Sequence, residues 1–289
     1  MIKVDIDAVT NIIREVAAKE ILPRFRNLNK GDIAYKIADD PVTIADKEAE
    51  KSLSTRFLDL IPGSKVVGEE GYAADPGVLR AFSGESPVWI IDPIDGTRNF
   101  VKGKHQFGVI VALAERNQLV AGWLYDPTSD EVITAEKGSG AYYKGHKLAV
   151  LEPRNLKDMR GLFGDRMMEA CEKSGALFHE APIIEKGSMT GVYDHPRLIV
   201  GQTYFGETKP QVHFIASLEF CTPWDDAASV LMHHESGGYA AHWDGGAHDL
   251  SAFGRGLLLA PNKESWQVVK NWCQGFSGLV QPSARKSAV

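Results

Sequence analysis

The stretch Trp89-Ile-Ile-Asp-Pro-Ile-Asp-Gly-Thr97 decides how the rest of the chain is read. Its first three residues are large and apolar, as in a buried strand. Two aspartates then follow, three positions apart around a proline. Proline fixes its own φ and restricts the residue before it, so the backbone at Asp92 is expected to be extended. Asp95-Gly96 then turns the chain. Such a bend points both carboxylates and the Ile94 carbonyl toward one place. Hard cations such as magnesium take oxygen ligands of this kind, completed by water and substrate phosphate. Gly96 lets the backbone approach closely, so the Gly96 and Thr97 amides could hold a phosphate oxygen. Asp-Pro and Asp-Gly are also ordinary turn chemistry, and that reading stands beside the first. A Trp-Ile-Ile strand running into two acids favours the metal, because buried carboxylates must be paired or coordinate a cation.

Upstream, Val66-Val67 runs into Gly68-Glu69-Glu70-Gly71, which alone reads as a solvated acidic turn. Asp40-Pro-Val-Thr-Ile-Ala-Asp46 opens a helix expected over 43–60, with Pro62-Gly63 ending it, and looks like a capping arrangement. A first helix is expected from Ile6, Val9, Ile12, Ile13, Val16 and Ile21, capped by Asp5 or Asp7. Downstream, apolar runs at 107–114, 119–125 and 131–135 separated by turn residues predict a β-meander to about Leu148. The polar segment Leu151–Lys157 divides an N-terminal α+β domain, 1–152, from a C-terminal α/β domain, 153–280. In the second domain Asp225–His234 reads as a helix stopped by Gly237-Gly238, with Asp225 as a candidate cap. Residues 281–289 read as a frayed tail.

The 289 residues are 44% hydrophobic and 24% charged, the balance of a soluble globular protein. A net charge of −6 argues against nucleic acid as the main partner. An anionic substrate stays open, because a bound metal inverts the local field. The three cysteines, Cys171, Cys221 and Cys273, show no spacing of a zinc site or disulfide framework. There is no run of signal-peptide length at the N-terminus, and none approaches the roughly 18–20 apolar residues of a membrane span. A cytoplasmic protein is the expectation.

Taken together, Asp40–Asp46, Gly68–Glu70, Trp89–Phe100 and Trp224-Asp225 resemble, in order, the motifs of the inositol monophosphatase family. That family is a branch of the magnesium-dependent, lithium-sensitive phosphatases. The resemblance covers about residues 5–270, and Trp-Ile-Ile-Asp-Pro-Ile-Asp-Gly-Thr-Arg-Asn-Phe is its most specific part. It implies a layered αβαβα sandwich with Mg2+ in a cleft between two halves, and commonly a homodimer. It implies Glu69, Asp92, Asp95 and the Ile94 carbonyl as metal ligands, with Asp225 added from the second domain. It implies Asp46 and Thr97 as the pair that activates water, and Gly96 and Thr97 as phosphate-binding backbone. The implied reaction is hydrolysis of inositol monophosphate or a related small polyol or sugar phosphate.

Departures fall on the alcohol side. Gly187-Ser188 matches a family Gly-Ser, making Ser188 a candidate substrate contact, but the charged run to Arg197 is unusual. Glu219 lies six before Asp225, near the family's sugar-contacting glutamate, and Ser229 stands where many relatives have glycine. Fructose-1,6-bisphosphate, histidinol phosphate and 3′-phosphoadenosine nucleotides therefore remain alternatives. A reading of another class is a cation-binding regulatory protein with a degenerate site. His233 and His234, adjacent on one helix, read as packing or surface residues. Lys102-Gly-Lys-His105 reads as a solvated loop or as a cationic arm that steers an anion.

Overall fold

The computed structural model describes residues 2–37, 40–177, 180–188, 190–201, 203–217, 222–251 and 255–278. Helix α1 (Ile6–Val16) starts where Asp5 accepts the Ala8 amide, and its buried stripe is Val9, Ile12, Ile13 and Val16. The periodicity had continued to Ile21. The chain instead widens into a π-helical turn at 17–21 and a 3-10 turn at 22–24 containing Pro23. Proline fits the first turn of a new segment but breaks the interior of an old one. A hairpin of β1 (Ile33–Ile37) and β2 (Asp40–Thr43) leads into α2 (Ile44–Leu60).

Seven strands form the first sheet in chain order: β3 (Lys65–Gly68), β4 (Val88–Asp95), β5 (Gly108–Glu115), β6 (Gln118–Asp126), β7 (Glu131–Glu136), β8 (Gly140–Tyr143) and β9 (His146–Lys147). β3 and β4 are parallel, joined through α3 (Glu69–Ala74), and the rest are the expected antiparallel meander. After β4 comes the short helix α4 (Thr97–Val101). The second sheet takes the order β11–β10–β14–β16–β15, from β10 (Arg160–Phe163), β11 (Ile183–Lys186), β14 (Phe214–Ser217), β15 (Tyr239–Ala241) and β16 (Leu257–Ala260). Between these strands lie α5 (Asp165–Ser174), α6 (Gly191–Asp194), a small hairpin β12 (Thr203–Tyr204) and β13 (Glu207–Thr208), and α7 (Pro223–Glu235); α8 (Lys263–Ser277) comes last.

All eight residues of β4 are buried, so both its faces need cover. Successive side chains alternate between faces. Trp89 and Ile91 pack with Val9, Ile13, Ala49 and Phe57 of α1 and α2, whereas Val88 and Ile90 pack with Ala227, Ala228 and Leu231 of α7. The far side of α7 meets Leu257 and Leu259 of the second sheet. That sheet's other face, with Phe163, Phe214 and Leu258, is closed by α5 and α8. The layers are therefore helix, sheet, helix, sheet, helix, as the resemblance implied. His233 is buried with Nε2 2.9 Å from the Ala260 carbonyl oxygen, and His234 is exposed. Cys171 and Cys273 are buried free thiols. Cys221 and the tail 281–289 lie outside the described residues. Among the described residues, no helix is long and apolar enough to cross a membrane.

Gly108 sits opposite Asp95 in the β4–β5 ladder, and a Cβ there would lie 2.4 Å from the Tyr125 carbonyl oxygen. Backbone cannot swing away as a side chain can. Gly108→Ala is expected to cost about 1–3 kcal/mol through overpacking. The check is the urea midpoint; an unchanged midpoint contradicts it.

Candidate active site

The two aspartates of the opening stretch lie inside β4 rather than beyond its end. Asp92 pairs with Ile110 and Asp95 with Gly108, so the strand carries an extra residue there. This is a β-bulge at Pro93, which has no amide to give the ladder. The Ile94 amide donates to Asp92 Oδ1 at 3.0 Å, a local Asx turn that fixes the first carboxylate. Asp95 Oδ2 accepts the Val192 amide of α6 at 2.7 Å, a link to the second half of the chain.

Asp225 arrives on α7. Thr222, not Asp225, is the cap residue of that helix, and Asp225 stands three positions in. Its amide donates to the Thr222 carbonyl, and the Thr222 hydroxyl donates to its carboxylate. One oxygen from each of Asp92, Asp95 and Asp225 falls in a cluster spanning no more than 4.8 Å. Asp92 and Asp95 are buried. Burial raises the pKa of Asp92 well above the carboxylate range, and Glu69, Asp95 and Asp225 raise it further. Asp95 is raised likewise, by burial and then by Asp225, against the opposing Val192 amide. So many like charges at such spacing favour a positive guest. The all-oxygen donor set fits a hard divalent cation.

Glu69 begins α3 directly after β3, so the acidic turn is a strand-to-helix junction. Glu69 lies near enough to Asp92 to raise its pKa. Two residues that the sequence did not single out hold this junction. Lys36 on β1 places Nζ 2.8 Å from Glu69 Oε1 and 2.6 Å from Glu70 Oε1. Burial alone would lower a lysine pKa, but the two glutamates hold this ammonium well above its ordinary range. Glu50 on α2 accepts the Glu70 amide at 2.8 Å and the Gly71 amide at 2.7 Å. Burial pushes the Glu50 carboxyl up to about 7. A glutamate one turn after Asp46, on the stripe of Ala49 and Leu53, was the available signal.

Asp46 serves two ends at once. Its Oδ2 accepts the Thr43 amide and hydroxyl at 2.8 and 2.5 Å, closing a capping box on α2. Its Oδ1 lies 3.1 Å from the Thr97 hydroxyl, which is also 3.0 Å from the Ile94 carbonyl oxygen. Burial pushes Asp46 up to about 7, against the opposing Thr43 bonds. Gly96 caps α4 at φ 86, a left-handed conformation that glycine adopts without strain. A Cβ there would fall 2.5 Å from Thr190 Cγ2 and 2.9 Å from the Gln106 carbonyl oxygen.

On the alcohol side, the Ser188 amide and hydroxyl both donate to Asp194 Oδ1, at 2.9 and 2.8 Å. Its hydroxyl also lies 2.8 Å from that of Thr190. Ser188 thus stands beside the Gly96 turn with its polar atoms engaged within the chain. Ser229 is buried on α7. Glu219 lies outside the described residues.

The inositol monophosphatase family profile matches residues 1–272. Over 201 residues the chain is 30% identical to an inositol-1-monophosphatase of Bacillus subtilis, covering 69% of this chain and 71% of that one. Over 237 residues it is 27% identical to a fructose-1,6-bisphosphatase/inositol-1-monophosphatase of Thermotoga maritima, covering 80% and 82%. The fold superposes on the solved structure of the Thermotoga maritima IMPase TM1415 with a TM-score of 0.72 at 22% identity, covering 94% and 98%. With a profile spanning almost all of its length, a relative at 30% and the same layered fold, the chain belongs to the inositol monophosphatase family, a class of phosphomonoesterases.

Proposed function

We propose that this protein is a magnesium-dependent phosphomonoesterase that hydrolyses inositol monophosphate or a related small polyol or sugar phosphate. The observation that carries the reading is the Asp92, Asp95 and Asp225 cluster standing beside the Thr97–Asp46 pair. Glu69, Asp92, Asp95, Asp225 and the Ile94 carbonyl would hold the metal. Bound there, magnesium supplies charge neutralisation at the phosphoryl group and a lowered pKa for the attacking water. The chain's own residues do the rest. The Gly96 and Thr97 amides bind a phosphate oxygen in a turn too tight for a side chain. The Thr97 hydroxyl orients the water and relays its proton to Asp46, whose carboxyl burial raises toward about 7 and bound cations would pull back.

The division at residues 152–153 belongs to the same reading. It is supported by the strands, since the first sheet lies within 65–147 and the second within 160–260. Asp225 is then the ligand contributed by the second half. A cytoplasmic location follows from the cysteine pattern and the apolar runs of the sequence, and homodimeric assembly from the family resemblance; sedimentation velocity tests the assembly.

The functional test is a substrate panel, assayed with magnesium and again with chelator. Inositol monophosphate is expected to be hydrolysed only with magnesium. The name of the Thermotoga relative pairs two activities, so fructose-1,6-bisphosphate belongs on the panel, with histidinol phosphate and 3′-phosphoadenosine nucleotides. If another member is turned over and inositol phosphate is untouched, the substrate assignment is wrong. If none is hydrolysed, the cation-binding regulatory reading replaces this one.

A further inference from the structure

In the run Lys102–His105 the two lysines are exposed, while His105 reaches the second half of the chain. His105 Nε2 lies 3.2 Å from Glu207 Oε1, and Gln106 Nε2 donates to that same oxygen at 2.7 Å. Glu207 belongs to β13, in the second half of the chain, and its side chain is 11% exposed. Its other oxygen lies 2.7 Å from Lys209 Nζ. Beside it, the Tyr193 hydroxyl donates to the His105 carbonyl at 3.1 Å, and the Tyr204 hydroxyl to the Tyr193 carbonyl at 2.6 Å. The loop that follows α4 is therefore held from the β12–β13 hairpin and from α6.

That loop in turn bounds the phosphate turn. The Gln106 carbonyl accepts Asn99 Nδ2 of α4 at 2.8 Å. The same carbonyl oxygen stands 2.9 Å from where a Gly96 side chain would begin, and the Thr190 methyl closes the slot at 2.5 Å. Gly96 is pinched between Gln106 and Thr190, and Gln106 is held by Glu207. Small displacements matter here, because hydrogen bonds to an anion are short and directional.

We propose that Glu207 is a positioning residue for the phosphate-binding turn: through Gln106 it sets where the Gly96 and Thr97 amides stand, and so how tightly phosphate is held. This rests on the phosphatase reading above. The β12–β13 hairpin thereby acts on the reaction centre without touching substrate.

The test compares Glu207→Ala with Glu207→Gln. The glutamine keeps a carbonyl oxygen for Gln106 Nε2; the alanine keeps nothing. Glu207→Ala is expected to raise KM, and the inhibition constant for inorganic phosphate, by about five- to tenfold, the worth of one hydrogen bond. Glu207→Gln is expected to restore both, with kcat little changed in either variant. The Gly96 amide, observed by nitrogen-15 NMR without substrate, should shift in the alanine variant and return in the glutamine variant. A lowered Tm with unchanged phosphate affinity overturns the proposal, and so does a glutamine variant as impaired as the alanine. If Glu207→Ala fails to fold, Gln106→Ala must reproduce the weakened phosphate binding, or the proposal fails. If the wild type hydrolyses nothing, the phosphatase reading falls, while phosphate titration followed at the Gly96 amide still decides the role of Glu207.

Discussion

Replacing Asp92 with asparagine is expected to lower kcat/KM by about a thousandfold, while raising the stability of the chelator-treated protein. The two effects have one origin. The magnesium would contribute several kcal/mol of charge stabilisation in the transition state, and each 1.36 kcal/mol is tenfold in rate. Asparagine keeps the oxygen that accepts the Ile94 amide, so the bulge survives and only the charge is lost. Without metal, that charge is a liability. Folding raises the pKa of Asp92 and Asp95 well above 3.8, so the folded state binds more protons than the unfolded one. Stability is then fully present below the unfolded pKa and falls as pH rises toward the folded value. At pH 8 in chelator, Asp92→Asn should melt a few degrees higher than wild type; about 1 kcal/mol corresponds to roughly 2–4 °C in a chain of this size. Adding magnesium should reverse the order. A variant that melts lower in chelator, or keeps activity within tenfold, contradicts the assignment of Asp92 as a ligand.

The second large effect is expected at Asp46. In Asp46→Asn the amide oxygen satisfies the Thr43 donors, which leaves the amino group facing Thr97. The Thr97 hydroxyl then has no carboxylate to receive a proton. A loss of about 10²–10⁴-fold in kcat is expected, with KM little moved. Wild-type activity should rise with pH through an acid limb at or below about 7, because burial raises Asp46 that far and bound cations pull it back. The limb should vanish in the variant. A limb that persists unchanged assigns the proton to another group.

Much of this was legible in the sequence because the residues lie close together in it. Trp89 to Thr97 makes its strand, bulge and turn from neighbours alone, and proline and glycine announce the bends. Asp46 could be read as a cap or, from the resemblance, as half of the water-activating pair; its Oδ2 closes the cap and its Oδ1 faces the Thr97 hydroxyl. What stayed hidden depends on contacts between distant segments. Lys36 is an unremarked lysine on a five-residue strand until the fold sets Glu69 and Glu70 against it. His105 reads as part of a solvated loop and stays half-exposed, but nothing in the sequence signals the hairpin a hundred residues later that meets it. Local periodicity also ran too far in the first helix, where Pro23 and the turn to β1 override the apolar stripe.

Helix α7 lies between the two sheets and carries Asp225 to Asp92 and Asp95, more than a hundred residues earlier in the chain. Closing so long a loop is entropically costly, and contacts of that separation tend to form late in folding. A chain still emerging from the ribosome, with residues 65–147 synthesised but α7 not yet made, holds two of the three clustered aspartates and lacks the third. On the proposed reading, cation capture would be deferred until synthesis has passed Asp225, and a translation product truncated before that point would lack both the third aspartate and the helix that covers Val88 and Ile90 of β4.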